Sequence, residues 1–443
     1  MTPEMPIFCN CRTEFGGVSL TNIAEQFGTP TFVYDAAVIK KRIGDLKKFD
    51  VVRYAQKACS NLAILQIVRQ SGAYVDAVSA NEIRRALAAG FEIDDTQKNA
   101  ATPIVYTADI FDRDALALVL EKNVHVNCGS VDMIRQYGEA LQNPQYSGNR
   151  RDITLRINPG FGHGHSQKTN TGGPQSKHGI WHELLDDCIK LAVQFRLTIS
   201  GLHIHIGSGT DLEHLAQCCD VMTGFALQVG PTINSISTGG GLPVPYHAEQ
   251  SYVDIDKYFS LWDASRNQLV EKFGHPVTLE TEPGRYLSAE SCLLLSEIRA
   301  VKTQGENTFY LLDAGFNNLA RPIMYGAYHP ISVVPRQSQN VQIAADGSHN
   351  LPEQNVVVGG PLCESGDIFT QEEGGFVAQR KLPVAAVGDY VALEIAGAYG
   401  SVMGSNYNSK SLAAEVLINN GNVQLIRKRQ LFEHLIANEI PLE

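Results

Sequence analysis

Eight short β-rich runs, each separated from the next by a stretch of helical spacing, constrain this chain more than any other feature. They fall at 51–56, 74–78, 104–107, 124–127, 153–157, 201–206, 233–238 and 277–281. Helix-period segments such as 81–89 and 183–195 lie between them. Eight βα units predict an α/β fold, a closed (β/α)8 TIM-like barrel; a doubly wound open sheet is the alternative. After residue 285 the texture changes. Strand-like runs at 292–301, 308–313, 355–359, 390–396, 414–418 and 423–427 follow one another without long helices. That predicts a C-terminal, mainly antiparallel β domain. The expected organisation is 1–34 as an N-terminal segment packing with the β domain, 35–285 as the barrel and 286–443 as the β domain. Residues 336–354 read as a polar surface excursion.

Composition narrows the class. The chain has 443 residues, enough for two cores, and a formal charge of −11 that is spread along its length. This argues against nucleic acid or an anionic membrane as a partner. The opening MTPEMPIFCNCRTEFGG lacks a basic then apolar leader, and ANEIPLE carries no anchor pattern, so a cytoplasmic protein is expected. Nine irregularly spaced cysteines and no CxxC pair fit free thiols and no metal site. Cys9 and Cys11 are expected to be surface thiols.

A barrel places its active site at the C-terminal ends of its strands. The polar residues there are Lys57, Asp76, Arg156, His205, the run Gly239-Gly240-Gly241, and Glu282-Pro283-Gly284-Arg285. Each has a structural alternative. Lys57, closing VVRYAQK, can send its ammonium to solvent; His205, in GLHIHIGSG, can be a satisfied core histidine; Glu282 can be a solvated loop carboxylate. Together they suggest more. STGGGLPVPY follows the seventh run and EPGRY the eighth, and phosphate sites of TIM barrels are frequently built from those two loops. A lysine that carries a cofactor needs such an anchor, and Glu282 could keep a pyridinium nitrogen protonated. His205 could stack on the ring, with Ser208 near the phosphate. In the β domain, GPLCESGD sets Cys363 beside Glu364 and Asp367, where a thiol can act as a proton donor. Two further polar stretches, NNLARPIMYGAYHP and GAYGSVMGSNYNS, carry Arg321, Tyr325 and Tyr399. The loop 158–179, NPGFGHGHSQKTNTGGPQSKHG, is long enough to be functional.

These motifs, with RYAQKACSN, VDAVSANEI and DAGFNNLARPIMYGAYHP, occur in the order seen in diaminopimelate decarboxylases. The chain therefore resembles that family of alanine-racemase-like, fold-type III pyridoxal-phosphate enzymes. The likeness runs from about residue 20 to 430 and lies nearest the enterobacterial type. It implies a lyase that converts meso-2,6-diaminopimelate to L-lysine and carbon dioxide in lysine biosynthesis. It implies Lys57 as the Schiff-base lysine, Glu282 as the pyridinium partner and His205 as the stacking ring. Ser208, Gly239, Gly240, Gly241, Gly284, Arg285 and Tyr399 match phosphate contacts; Asp76, Arg156 and Pro283 are expected at the same cofactor site from their place at the strand ends. Arg285, Arg321, Tyr325, Glu364 and Tyr399 match substrate contacts. Cys363 matches a proton donor supplied by the partner subunit of a homodimer. A related decarboxylase of another amino acid and a catalytically silent binding homologue stay open. Three positions depart from the commoner family wording: His178 replaces a phenylalanine, Thr238 precedes the glycine run, and Gly404-Ser405-Asn406-Tyr407-Asn408 replaces SSNYN.

Overall fold

A computed structural model describes residues 8–93, 101–162, 172–205, 212–337, 341–344, 346–372 and 374–442. They divide into two compact units, one within 40–243 and 252–286, the other within 1–39, 244–251 and 287–443.

The first unit is a closed barrel of eight parallel strands. In chain order they are Val51–Ala55, Tyr74–Ala77, Ile104–Ala108, His125–Cys128, Asp152–Asn158, Thr198–Ile204, Ser235–Ser237 and Thr278–Thr281. A side strand, Ile180–Trp181, extends from the end of the fifth. All eight runs read from the sequence are present; only their ends differ. Helices between them start on side-chain caps: Asn61, Ser79, Asp112, Ser130 and Asp254 each accept a first-turn backbone N–H. The caps turn the chain out of each strand end and leave the C-terminal rim to side chains.

Closure is made at a short seam. The last strand meets the first at two registered pairs, Glu280 with Val51 and Thr281 with Val52. Side chains complete it. Arg53 bonds Glu280 through both carboxylate oxygens, at 2.6 and 3.2 Å, and Asp50 accepts the Leu279 N–H at 2.8 Å. Burial alone would lower the Arg53 pKa, but Glu280 reverses this and raises it.

In the second unit, the strand Thr31–Asp35 pairs antiparallel with Cys292–Gln304 and parallel with Ala414–Asn419. The N-terminal segment is thus inside the sheet. Asn307–Leu312, Glu353–Gly359 and Arg380–Pro383 continue the sheet beyond Cys292–Gln304, and Asn422–Arg427 ends its other side. Ile331–Val334 pairs with Tyr390–Leu393, which also pairs with Cys292–Gln304. Leu20, Ile23, Val33, Leu293, Leu295, Val416 and Ile418 fill its core. Two thiols differ from expectation. Cys9 and Cys11 are buried, not on the surface, because Asn10 and Arg12 exchange backbone hydrogen bonds with Val333 and draw the segment into the sheet. All nine cysteines are free.

The seam yields a prediction. Glu280→Leu leaves Arg53 buried without its ion-pair partner, holding only the Thr102 carbonyl, and is expected to cost about 3–5 kcal/mol, whereas Arg53→Met with Glu280→Leu costs much less. Denaturant unfolding of the three proteins checks this; equal losses in single and double variants would refute the seam role.

Candidate active site

The strand ends converge on one charged group buried in the barrel. Glu282, just past the eighth strand, is buried. His203 Nε2 lies 2.9 Å from one of its oxygens, and the Ser237 hydroxyl donates to the other at 2.8 Å. Burial pushes the Glu282 carboxyl up; the His203 charge and these bonds outweigh it and hold it below the ordinary range. Asp76, on the second strand, has the opposite fate. Burial and the facing Glu282 push it up to about 6, against the pull of the Lys57 ammonium. Two carboxylates so close cannot both ionise freely, and their environments separate them.

Lys57 follows the first strand in a single 3-10 turn, Gln56–Ala58. Its side chain is exposed in the single chain, yet its charge acts on Asp76, Glu82 and His205. Arg156, on the fifth strand, is buried, and burial lowers its pKa against the pull of Asp109, Glu282 and Asp76. Among the described residues its guanidinium has no hydrogen-bond or ion-pair partner. His205 is held far below the ordinary histidine range by burial, then by Arg156 and Lys57. Its Nδ1 accepts the Gly240 N–H at 3.0 Å, which fixes a neutral ring.

The glycine run is required by geometry. Gly239 and Gly241 have φ of 65° and 103°. A Cβ on Gly239 would strike the Ile204 carbonyl, and one on Gly240 would sit 2.8 Å from the Glu282 carbonyl. Gly284 lies against Ala55, where a Cβ would come within 3.1 Å of its carbonyl oxygen. Pro283 sits between them and accepts the Ala55 N–H. Arg285 opens the turn that follows, half-buried. Thr238, the departure before the glycines, is buried, its hydroxyl accepting from Tyr258 and donating to Thr281. Ser208 lies outside the described residues, as does 163–171 of the long loop. The described ends of that loop are gathered by Asn158, whose amide bonds Gly160, Gly173 and His178. His178, the other departure, bonds Asp109 through Nδ1 at 2.6 Å.

The remaining candidates belong to the second unit. Arg321 and Tyr325 share the helix Arg321–Tyr325 and lie on one face of it, Arg321 buried and Tyr325 half-buried. Cys363 and Glu364 are exposed, and Cys363 is the one exposed cysteine of the nine. Asp367 is a loop clamp: its buried carboxylate accepts the Leu362 and Phe316 N–H groups at 2.8 and 2.7 Å. Tyr399 holds φ at 58°, a costly conformation for a side chain this large.

The barrel groups fit pyridoxal phosphate. Among the described residues Asp76 Oδ1 and His203 Nδ1 are buried without a hydrogen-bond partner, Arg156 supplies a buried cation, Lys57 supplies an amine, and the glycines leave a cradle no larger residue allows. Reading the sequence missed His203 and Ser237. The signal for His203 was present: in HIHI, positions 203 and 205 share a strand face. Among the described residues no cluster suited to a metal occurs, and no helix is long and apolar enough to cross a membrane.

Comparison with known proteins places the chain. Residues 36–289 match the family model of the pyridoxal-dependent decarboxylase, pyridoxal binding domain. A diaminopimelate decarboxylase of Escherichia coli is 48% identical over 430 residues, covering 97% of this chain and 98% of that protein. A crystal structure of a diaminopimelate decarboxylase superposes with a TM-score of 0.86 at 48% identity, over 95% of this chain and 96% of the other. The Helicobacter pylori enzyme complexed with L-lysine gives 0.80 at 27% identity, over 94% and 98%.

Asp76 carries a pH signature. Its folded pKa, about 6, exceeds the ordinary 3.8. Its stabilising contribution is present below the ordinary value and lost as pH rises through about 6. The cofactor-free Asp76→Asn variant should therefore exceed the parent in stability by about 1–3 kcal/mol at pH 8, and the gain should shrink towards pH 5. Thermal unfolding at both values checks it; a pH-independent difference would refute the assignment.

Proposed function

This chain belongs to the pyridoxal-dependent decarboxylases, on their diaminopimelate decarboxylase branch, and we propose that it releases carbon dioxide from meso-2,6-diaminopimelate to give L-lysine, the last step of lysine biosynthesis. The observation that carries the reading is the buried Glu282, bonded by His203 and Ser237, set among Lys57, Arg156, His205 and the glycine cradle. Pyridoxal phosphate, when bound, supplies an electron sink for the pair left on Cα as carbon dioxide departs. Lys57 would hold it covalently. Glu282 would keep a proton on its ring nitrogen, since an ionised carboxylate favours the protonated partner. His205 would stack on the ring as a neutral imidazole. Gly239, Gly240, Gly241, Gly284, Arg285 and Tyr399 would hold its phosphate, with Asp76, Arg156 and Pro283 lining the site.

Substrate choice rests on charge. The distal end of meso-diaminopimelate carries both an ammonium and a carboxylate. Glu364 would offer the acid and Arg321 the cation that meet them, and Arg285, Tyr325 and Tyr399 are the further substrate contacts of this reading. A substrate with a purely cationic tail would set an ammonium against Arg321, at a cost of several kcal/mol. Cys363 would deliver the proton to Cα. We place it in the partner's site of a homodimer, because its exposure in the single chain suits a thiol that works across an interface. The free thiols of the chain suit a cytoplasmic protein. The cofactor-binding barrel is then the unit within 40–243 and 252–286, while 35–39 and 244–251, expected within a barrel of 35–285, group with the β unit.

Carbon dioxide release from meso-diaminopimelate, ornithine, arginine and lysine tests this directly. The holoenzyme should turn over diaminopimelate, and Cys363→Ala should slow it by about 10²–10⁴-fold with the cofactor's visible absorption retained. Turnover of ornithine but not diaminopimelate would overturn the substrate, and an unchanged Cys363→Ala rate would remove the thiol from the reaction.

A further inference from the structure

Arg321 does not set its own direction. Its guanidinium is buried, and Nη1 donates to the Tyr246 hydroxyl at 3.0 Å and to His329 Nε2 at 2.9 Å. Arginine has only donors, so His329 Nε2 must be a bare acceptor. His329 Nδ1 lies 2.8 Å from the Glu394 carbonyl oxygen, which only accepts, so Nδ1 must carry the hydrogen. Together the two contacts admit one state, the neutral Nδ1–H imidazole. The ring is 1% exposed, so water cannot substitute for either partner.

The backbone fixes this ring. His329 precedes the strand Ile331–Val334, and Glu394 follows Tyr390–Leu393; the two strands pair, and Glu394 N–H donates to the Pro330 carbonyl at 2.9 Å. The Glu394 side chain is held in turn by Arg12 at 2.7 Å and Ser332 at 2.9 Å. Tyr246 closes the arrangement, its ring edge-on to His329 with centroids 5.6 Å apart and 4.9 Å from the Arg321 guanidinium carbon. Both acceptors are uncharged, so these bonds orient the guanidinium without adding negative charge beside it.

We propose that His329 is a positioning residue for substrate recognition, aiming Arg321 at the substrate's distal carboxylate. This rests on the reading of Arg321 as a substrate contact. The test is steady-state kinetics of the holoenzyme with meso-diaminopimelate for His329→Phe, His329→Gln, Arg321→Ala and the His329→Phe/Arg321→Ala double variant. His329→Phe should raise KM by about tenfold or more while kcat changes less than about threefold. His329→Gln, whose amide oxygen can take the place of Nε2, should recover most of the loss. In the Arg321→Ala background His329→Phe should add less than about twofold, because its effect passes through Arg321. Equal losses in both backgrounds, or a fall in kcat with KM unchanged, would overturn the proposal. If Arg321→Ala alone leaves KM unchanged, the substrate reading of Arg321 falls by itself. Nitrogen NMR of the His329 ring in the wild-type holoenzyme then decides the geometry: Nδ1 protonated and Nε2 bare sustains His329 as the holder of Arg321, and a protonated Nε2 refutes it.

Discussion

An anionic carboxylate inside a strand barrel is the constraint on which the site depends. Left alone, burial would protonate Glu282. Donors from two other strands prevent that. His203 comes from the sixth strand and Ser237 from the seventh, while Glu282 itself leaves the eighth. Three strand ends must therefore stay in register for one carboxylate to remain charged. That register depends on closure of the ring, and the seam between eighth and first strands combines the Arg53–Glu280 pair with two registered backbone pairs and the bonds of Asp50 with Leu279 and of Ala55 with Pro283. Stability and site electrostatics share this seam.

The same carboxylate organises its neighbours. Asp76 rises because it is buried and, next, because it faces Glu282, and Arg156 is retained as a buried cation by the surrounding acids. His205 is pushed towards the neutral form by burial and by the cations near it, and the Gly240 N–H occupies its acceptor. A cluster of groups with separated protonation states is what acid–base chemistry at neutral pH requires. In the β unit the logic is different: Arg321 is directed by neutral acceptors and Asp367 by backbone N–H groups.

The barrel was legible in the sequence because its strands are compact runs of β-branched and aromatic residues bounded by capped helices. Ile331–Val334 and Arg380–Pro383 were not: the first is flanked by Pro330 and Pro335, and the second reads RKLP, with two charges and a proline. Burial of Cys9 and Cys11 was also hidden, since it depends on pairing with Val333, more than three hundred residues away in the chain. Lys57, Asp76, Arg156, His205 and Glu282 could be named from strand ends alone. His203 could have been, from the period of two along HIHI. The clamp made by Asp367 could not, because a loop carboxylate looks the same in sequence whether it faces solvent or backbone amides.

The central claim is that Glu282 stays ionised while buried. Carbon NMR of carboxyl-labelled glutamate, compared between the wild-type chain and Glu282→Gln, isolates its signal. The account predicts an ionised carboxylate persisting below the ordinary glutamate range near pH 4. A Glu282 signal that titrates above that range, and so reports a protonated acid in the barrel as neutrality is approached, would contradict it.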